Sequence, residues 1–229
     1  MLIENLKQKQ KKLTDFYTSR GLHVYFREPL LNDEIDVEKV ISNVESKLPK
    51  HLTSEVEMVI FGQFDEFAER NINAAYKDGA LYISNFQDDE ADLYDDIVHE
   101  ISHSLEAPYG FEIYGDEKLK NEFLRKREIM HDLLWANGIK IPKSLFMNVE
   151  YDQEFDEAMY KDVGYQKLSQ LLMGVFISPY AATSLAEYFA TGFTEFYTHS
   201  EHKFLQKVSP ELYKKIILLN DIKELDNRW

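Results

Sequence analysis

The stretch from residue 89 to residue 106, DEADLYDDIVHEISHSLE, decides how the rest of this chain is interpreted. Its apolar residues recur at the spacing of an amphipathic helix: Leu93, Ile97, Ile101 and Leu105. On such a helix His99 and His103 lie one turn apart, on the face nearly opposite the apolar stripe. Acidic residues share that face, so the histidines are poorly explained as core residues. Their ring nitrogens can converge on one metal ion.

The residue between the two histidines adds a second function to the same helix. Glu100 directly follows His99 and completes the pattern H-E-x-x-H. In zinc hydrolases with this spacing the two histidines bind the ion, and the glutamate takes a proton from the attacking water. Zinc polarises the carbonyl group under attack and lowers the pKa of its water. The pattern therefore predicts a hydrolase with one catalytic Zn2+ ion.

A catalytic zinc site needs a third protein ligand. The chain has no cysteine, so this ligand must be another histidine or a carboxylate. Glu187, in the segment 184–190 (SLAEYFA), is the best placed because it lies opposite the apolar stripe of a second predicted helix. Ser184 and Glu187 also fit a capping box, in which the glutamate reaches back to the start of its own helix. The residues alone leave both interpretations open.

The second segment, together with the first, resembles a known family. Tyr180 precedes Glu187 by seven residues, and Glu187 opens the sequence EYFA. This arrangement is similar to the second motif of the anthrax lethal factor-like metallopeptidases, of which the Pro-Pro endopeptidases are compact relatives. The resemblance covers about residues 55–205. It implies a zincin-like fold with Glu187 as the third zinc ligand, and it implies that Tyr180 assists the transition state.

The function implied is that of a zinc-dependent endopeptidase acting on peptide or protein substrates. Glu100 is the expected general base, which later returns its proton to the leaving amine. The hydroxyl of Tyr180 is the expected hydrogen-bond donor to the developing oxyanion. Two alternatives use the same residues: a catalytically inactive zincin-like protein that binds a partner or a particle, and a hydrolase of non-peptide amides. The residues that select the substrate lie outside the matched motifs, so the cleavage specificity of the relatives is not expected to carry over.

The chain departs from the family pattern at two places. Relatives carry a second glutamate one turn after the ligand, where it can hold a zinc histidine, and this chain has Thr191 instead. The carboxylates that can take its place are Asp92, Asp96, Glu106 and Glu195. The long separation between His103 and Glu187 indicates that residues 110–176 form a helical insertion beside the cleft, where it can shape substrate access.

The chain of 229 residues is predicted to form one α+β domain with two lobes around the zinc cleft. Residues 1–109 are expected to form a mixed α/β lobe that ends in the H-E-x-x-H helix, and residues 110–229 a mainly helical lobe that carries the third ligand. The first lobe should alternate helix and strand: a helix through Tyr17, a strand at 22–26, a helix at 36–48 and a strand at 56–61. Helix breaks are expected at 138–142, at Gly164 and at Ser178-Pro179.

A hairpin is predicted immediately before the H-E-x-x-H helix. Residues 73–76 and 80–83 flank Lys77-Asp78-Gly79, and Asp-Gly supplies the positive backbone angles that tight hairpin turns need. In zinc peptidases of this general architecture, a sheet edge beside the active-site helix binds the extended substrate. Residues 80–85 are the strand expected to form that edge.

Composition argues against several other classes. A net charge of -15 disfavours nucleic-acid binding, which needs a basic surface. The basic cluster from Lys7 to Lys12 is expected to be a solvated helix face. No apolar stretch has the length of a signal peptide or a membrane span, so a cytoplasmic protein without a membrane partner is the default expectation. Packaging into a particle, or secretion without a signal, would leave no trace in the sequence.

The remaining histidines are expected to have structural functions. His199 and His202 lie three residues apart after the ligand helix, where cationic side chains commonly interact with exposed carbonyl groups. His23 falls in a predicted strand and His131 on a helix with apolar neighbours. His51 lies near a predicted loop, and none of these five histidines is therefore expected to bind the metal.

Overall fold

The computed structural model describes residues 15–70 and 72–221, apart from the side chains of 68–70. The chain divides into two compact units, residues 1–105 and residues 106–229. The first contains a five-stranded mixed sheet with helices, and the described part of the second is mainly helical. This mixture of helices and a mixed sheet is compatible with the predicted α+β class. The division falls after Leu105, whereas the sequence indicated a boundary after residue 109.

The sheet of the first unit has five described strands: β1 (Phe16–Tyr17), β2 (His23–Phe26), β3 (Met58–Gly62), β4 (Ala74–Lys77) and β5 (Ala80–Ser84). Their spatial order is β1-β2-β3-β5-β4. The three inner strands run parallel to one another, and β1 and β4 are antiparallel to their neighbours. Val59 of β3 lies opposite Val24 of β2 and Leu81 of β5. All three side chains are fully buried, so the middle of the sheet belongs to the core.

The helices described in the first unit are α1 (Val37–Lys47), α2 (Asp65–Arg70) and α3 (Glu90–Ser104), with a 3-10 turn at Lys50–Thr53. The H-E-x-x-H segment lies in α3, as predicted, and α3 packs against β4, β5 and α1. Asp89 caps α3, since its Oδ1 accepts hydrogen bonds from the N–H groups of Ala91 at 2.8 Å and Asp92 at 2.9 Å. The predicted apolar stripe is buried throughout: Leu93, Ile97, Ile101 and Leu105.

The predicted hairpin is confirmed, but the predicted sheet edge is wrong. Asp78 and Gly79 form the turn with φ angles of 50° and 82°. β5 (Ala80–Ser84) pairs with β3 on one side and β4 on the other, so it lies inside the sheet and β4 forms the edge. The apolar content explains this order, because Leu81 and Ile83 of β5 are fully buried whereas β4 has no buried residue. An interior strand is covered on more sides than an edge strand.

The helix predicted to run through Tyr17 is wrong at its described end. Phe16 and Tyr17 form β1, which pairs with Val24 and His23 of β2. The chain reverses between these strands at Gly21, whose φ of 90° suits glycine. The prediction extended a helix to Tyr17, whereas the last two residues of that range pair with β2 in a short hairpin. The rest of that predicted helix, with the cluster from Lys7 to Lys12, lies outside the described residues.

The helices described in the second unit are α4 (Glu106–Tyr114), α5 (Lys118–Ala136), α6 (Lys143–Phe146), α7 (Gln153–Glu157), α8 (Tyr165–Leu171), α9 (Leu185–Thr198), α10 (Lys203–Val208) and α11 (Pro210–Asn220). A π-helical segment, Ala158–Val163, precedes α8, and a 3-10 turn, Tyr180–Ala182, precedes α9. The three predicted helix breaks are confirmed. Over the described residues, no helix has both the length and the apolar character needed to cross a membrane.

Helix α9 carries the second sequence motif and packs against α5, α10, α11 and the 3-10 turn. All of its aromatic side chains are buried: Tyr188, Phe189, Phe193, Phe196 and Tyr197. Gly192 allows close contact with α11, because a Cβ atom there would lie 2.2 Å from Leu212 Cδ2. These contacts fix the helix in the core of its unit and hold Glu187 in the first turn.

Candidate metal centre

Helix α3 presents its two histidines on the face that is not packed in the core. His99 and His103 are both half-buried. Their ring centroids lie 5.1 Å apart, with an angle of 71° between the ring planes. Residues four apart on a helix project from one face, so one turn brings both rings to the same place. The helix could therefore supply two nitrogen ligands from one element.

The third predicted ligand joins these histidines. One ligand atom from each of His99, His103 and Glu187 lies within 4.8 Å of the other two. Among the described residues, no other group of three or more such side chains is this compact. Ligands around tetrahedral zinc lie roughly 3.4 Å apart, which is shorter than the 4.8 Å limit within which these atoms lie. Two imidazoles and a carboxylate form the donor set of one class of catalytic zinc site, and the residues present fit zinc.

The N-terminal cap of α9 helps to fix the position of Glu187. Ser184 is the capping residue, and its Oγ accepts a hydrogen bond from the backbone N–H of Glu187 at 3.1 Å. The cap uses the main chain of Glu187, while its carboxylate belongs to the group with the two histidines. The half of the capping box in which Ser184 accepts the backbone N–H of Glu187 is therefore present, and this cap helps to orient Glu187.

Glu100 is buried, with 8% of its surface exposed. Its Oε2 accepts a hydrogen bond from the backbone N–H of Tyr76 at 2.7 Å. Tyr76 belongs to β4, the edge strand of the sheet. Tyr76 could not be selected from the sequence, because every residue except proline carries a backbone N–H donor. The bond fixes the orientation of the carboxylate beside the two histidines.

Asp96 is the candidate carboxylate with the clearest connection to a zinc histidine. It precedes His99 by three residues on α3, and the two groups interact electrostatically. The buried amide of Gln87 donates a hydrogen bond from Nε2 to Asp96 Oδ2 at 3.0 Å. Burial raises the pKa of Asp96 to about 6, despite the opposing effects of Gln87 and His99. Sequence analysis included Asp96 among four candidates but could not detect Gln87.

The other candidate carboxylates have different neighbours. Glu195 lies 3.4 Å from Nδ1 of His199. Asp92 Oδ2 accepts a hydrogen bond from the N–H of Asp88 at 3.3 Å, near the start of α3. Thr191, which replaces the second glutamate of the family, has a buried hydroxyl with no hydrogen-bond partner among the described residues. Glu106 interacts electrostatically with Tyr114. Of the four candidates, Asp96 is the one with an electrostatic interaction with His99, so it is favoured as the support for this candidate ligand.

Tyr180 lies in the 3-10 turn before α9 and has 39% of its surface exposed. Its carbonyl oxygen accepts two hydrogen bonds from Thr183, one from the N–H at 3.0 Å and one from Oγ1 at 2.8 Å. The following Ala181 and Ala182 are buried. The turn is therefore fixed by its own hydrogen bonds and presents the ring of Tyr180 to solvent.

Two further tyrosines interact with Glu187 and were not selected from the sequence. Burial is the main cause that raises the pKa of Tyr165 to about 12, and the negative charges of Asp156 and Glu187 add to it. Burial also raises the pKa of Tyr114, with contributions from Glu106 and Glu187 among others. Both phenols stay protonated at neutral pH, so they can act as hydrogen-bond donors.

His199 and His202 lie outside the candidate ligand group. His199 follows α9 as its C-terminal cap residue, and its ring contacts Glu195. The ring of His202 stacks on Phe196 with 4.0 Å between centroids. These contacts agree with the structural functions expected for both residues.

No protein-family model matches the chain, and no curated protein or solved structure matches it either. The predicted membership of the lethal factor-like metallopeptidases therefore stays a prediction.

Proposed function

We propose that this protein is a zinc-dependent endopeptidase with a zincin-like fold. The observation that carries the proposal is the group formed by His99, His103 and Glu187, whose ligand atoms lie within 4.8 Å of one another. Glu100 adjoins His99 in the chain without being part of that group. A general base must lie beside the ligands and must keep its carboxylate for proton transfer.

The donor set favours a transition metal such as zinc over the hard ions Mg2+ and Ca2+. Mg2+ and Ca2+ prefer oxygen ligands, whereas two of the three groups here are imidazoles. When bound, zinc supplies a Lewis acid for the scissile carbonyl and lowers the pKa of a water molecule. His99, His103 and Glu187 would hold the ion from two helices, α3 and α9. Asp96, with Gln87 behind it, would support His99.

Glu100 is the proposed general base. Its carboxylate takes a proton from the attacking water and delivers it to the amine that leaves. The hydrogen bond from the N–H of Tyr76 at 2.7 Å holds the carboxylate in one orientation during both transfers. Burial of Glu100 keeps competing solvent away from the proton.

Tyr180 is the proposed donor to the oxyanion. The hydroxyl donates a hydrogen bond to the oxygen that gains negative charge as the carbonyl carbon becomes tetrahedral. Partial exposure suits this function, because the ring must reach a substrate rather than pack in the core. The two hydrogen bonds from Thr183 limit the motion of the turn that carries the ring.

A peptide substrate is favoured over a non-peptide amide by the contact between Glu100 and the sheet. β4 has no strand on its outer side within the described residues, and its Tyr76 is bonded to Glu100. An extended peptide can add to such an edge through main-chain hydrogen bonds. Its backbone would then run beside the proposed base, whereas a compact amide would make no use of the edge.

Cleavage of a peptide library, followed by mass spectrometry, tests this proposal in the wild type and in Glu100→Gln. Bound zinc is quantified in both samples. The proposal predicts cleavage by the wild type alone at equal zinc content. If both proteins hold zinc and neither cleaves any peptide, the endopeptidase assignment is wrong, and the two alternatives are a non-catalytic binding protein and a hydrolase of non-peptide amides. If neither protein holds zinc, the assignment of the ligands is wrong.

A further inference from the structure

The insertion between the two motifs contributes a buried cation to the segment that carries Tyr180 and Glu187. We propose that Arg127 is a positioning residue, which holds this segment in the conformation that the chemistry requires. The inference rests on the proposed function for its catalytic consequence. Arg127 belongs to α5 and is completely buried. It thus gives residues 110–176 a function beyond the expected control of substrate access.

The guanidinium group of Arg127 joins two parts of the backbone. Nη2 donates hydrogen bonds to the carbonyl oxygens of Thr183 and Asn148, each at 3.2 Å. Nη1 donates to the carbonyl of Leu145 at 3.4 Å. The group also lies over the ring of Phe155, 3.7 Å from its centroid. A planar group with several fixed donors can bind these acceptors together, and a lysine ammonium cannot match that geometry.

Thr183 transmits this anchoring to both motif residues. Its N–H and hydroxyl bind the carbonyl of Tyr180, at 3.0 Å and 2.8 Å. The next residue, Ser184, caps α9 by accepting the N–H of Glu187 at 3.1 Å. A shift of Thr183 would therefore displace the turn that carries Tyr180 and the helix start that carries Glu187.

A second hydrogen bond from the insertion reaches the same corner. The N–H of Leu185 donates to the carbonyl of Val149 at 2.8 Å. Leu185 is the first residue of α9, directly after the cap. The segment 145–149 is thus bound both to Arg127 and to the start of α9. We call this set of contacts, which joins Arg127, residues 145–149 and the start of α9, the brace.

The energetic cost of Arg127 also argues for a positioning function. Among the described residues, no carboxylate forms an ion pair with it, and burial lowers its pKa to about 9. Asp152 compensates only through an electrostatic interaction. An apolar side chain of similar volume often fills such a place at no loss of stability. The three carbonyl contacts account for the presence of a guanidinium group where packing alone does not require one.

The test compares Arg127→Lys with Arg125→Lys, an identical change at an exposed position two residues earlier. Hydrogen exchange by mass spectrometry reports on peptides that cover residues 180–187, and steady-state cleavage gives kcat and KM. We expect faster exchange in 180–187, and a kcat about tenfold lower with KM nearly unchanged, in Arg127→Lys alone. Unchanged exchange and kcat, or exchange that rises uniformly over the chain, would overturn the inference.

A second variant removes the brace without touching the buried cation. Leu185→Pro deletes the N–H that binds Val149, and proline is favoured at the first position of a helix. We expect the same local rise in exchange at 180–187 and the same fall in kcat, and normal values for both would contradict the brace even if Arg127→Lys fails to fold. If the wild type neither binds zinc nor cleaves peptides, the proposed function fails, and the exchange data still decide whether Arg127 positions the segment.

Discussion

The backbone N–H of Tyr76 lies 2.7 Å from Oε2 of Glu100 and donates a hydrogen bond to it. This bond connects the edge strand β4 to the proposed general base on α3. The strand proposed to bind the substrate backbone and the carboxylate proposed to transfer the proton are therefore joined by a direct hydrogen bond. Backbone contacts of this kind persist whatever side chain occupies residue 76.

Loss of a ligand should weaken zinc binding strongly. His103→Ala and Glu187→Gln each remove one of three protein ligands, so we expect the zinc dissociation constant to rise by about 100-fold or more, beyond the range seen for supporting residues. Competition with a chromophoric chelator measures the constant. His199→Ala is the matched control, because His199 is mostly exposed and lies outside the ligand group. An equal loss in the control would show that the ion binds elsewhere.

Removal of the Tyr180 hydroxyl should lower turnover and leave the metal in place. Loss of one oxyanion donor typically reduces kcat about 100- to 1,000-fold, so Tyr180→Phe should fall in that range with similar KM and zinc content. The control is Tyr160→Phe, an exposed tyrosine in the same unit. A normal kcat in Tyr180→Phe would remove Tyr180 from the mechanism.

Asp96→Asn should weaken zinc binding about 10- to 100-fold, as loss of a group that supports a ligand does. Asp95→Asn, on the exposed side of the same helix, is the control. Equal affinity in the wild type and Asp96→Asn would show that another group, or none, supports His99.

Asp96 should also make the stability of the metal-free protein depend on pH. Its ordinary pKa is 3.8, and burial raises its pKa to about 6 in the folded protein. Between these values the folded state binds more protons than the unfolded chain, so stability falls as pH rises and levels off above about 6. The variant Asp96→Asn has no carboxyl group at this position, so its stability does not fall in this pH range for this reason. Thermal unfolding with a chelator should show the variant to be more stable than the wild type at neutral pH, with the gap closing as pH falls towards 4.

Gly192 should tolerate no side chain. A Cβ atom there would lie 2.2 Å from Leu212, which is completely buried, so Gly192→Ala should destabilise the protein by about 1–3 kcal/mol through overpacking. Gly110→Ala is the control, because a Cβ atom at Gly110 meets nothing within 4 Å and lies inside helix α4. That change should stabilise by about 0.5–1 kcal/mol, the usual preference for alanine in a helix. Urea denaturation measures the free energy of unfolding of both variants. Equal effects would show that α11 can move to make room for the added methyl group.

The sequence predicted those features that depend on local periodicity and capping. The stripe from Leu93 to Leu105 specified a helix with its histidines turned away from the core, and that helix is present. Asp78-Gly79 specified a tight turn, and both residues have positive φ. In each case the physical cause lies within a few residues of chain, so a single segment carries the information.

Features that depend on distant partners could not be predicted. The order of β4 and β5 in the sheet follows from which strand can pair with β3, and the hairpin sequence alone does not determine this. Gln87 and Arg127 act through hydrogen bonds to residues 9 and 56 positions away, respectively. Tyr76 acts through its backbone, which is the same in every non-proline residue.

The most direct test of the central claim is the dependence of peptide cleavage on zinc. A peptide library is treated with the wild-type protein before chelation, after chelation, and after one equivalent of zinc has been restored, and the products are identified by mass spectrometry. The proposed function predicts cleavage at defined bonds, loss after chelation and recovery with zinc. Cleavage that persists in the metal-free protein, or a zinc-loaded protein that leaves every peptide intact, would contradict it.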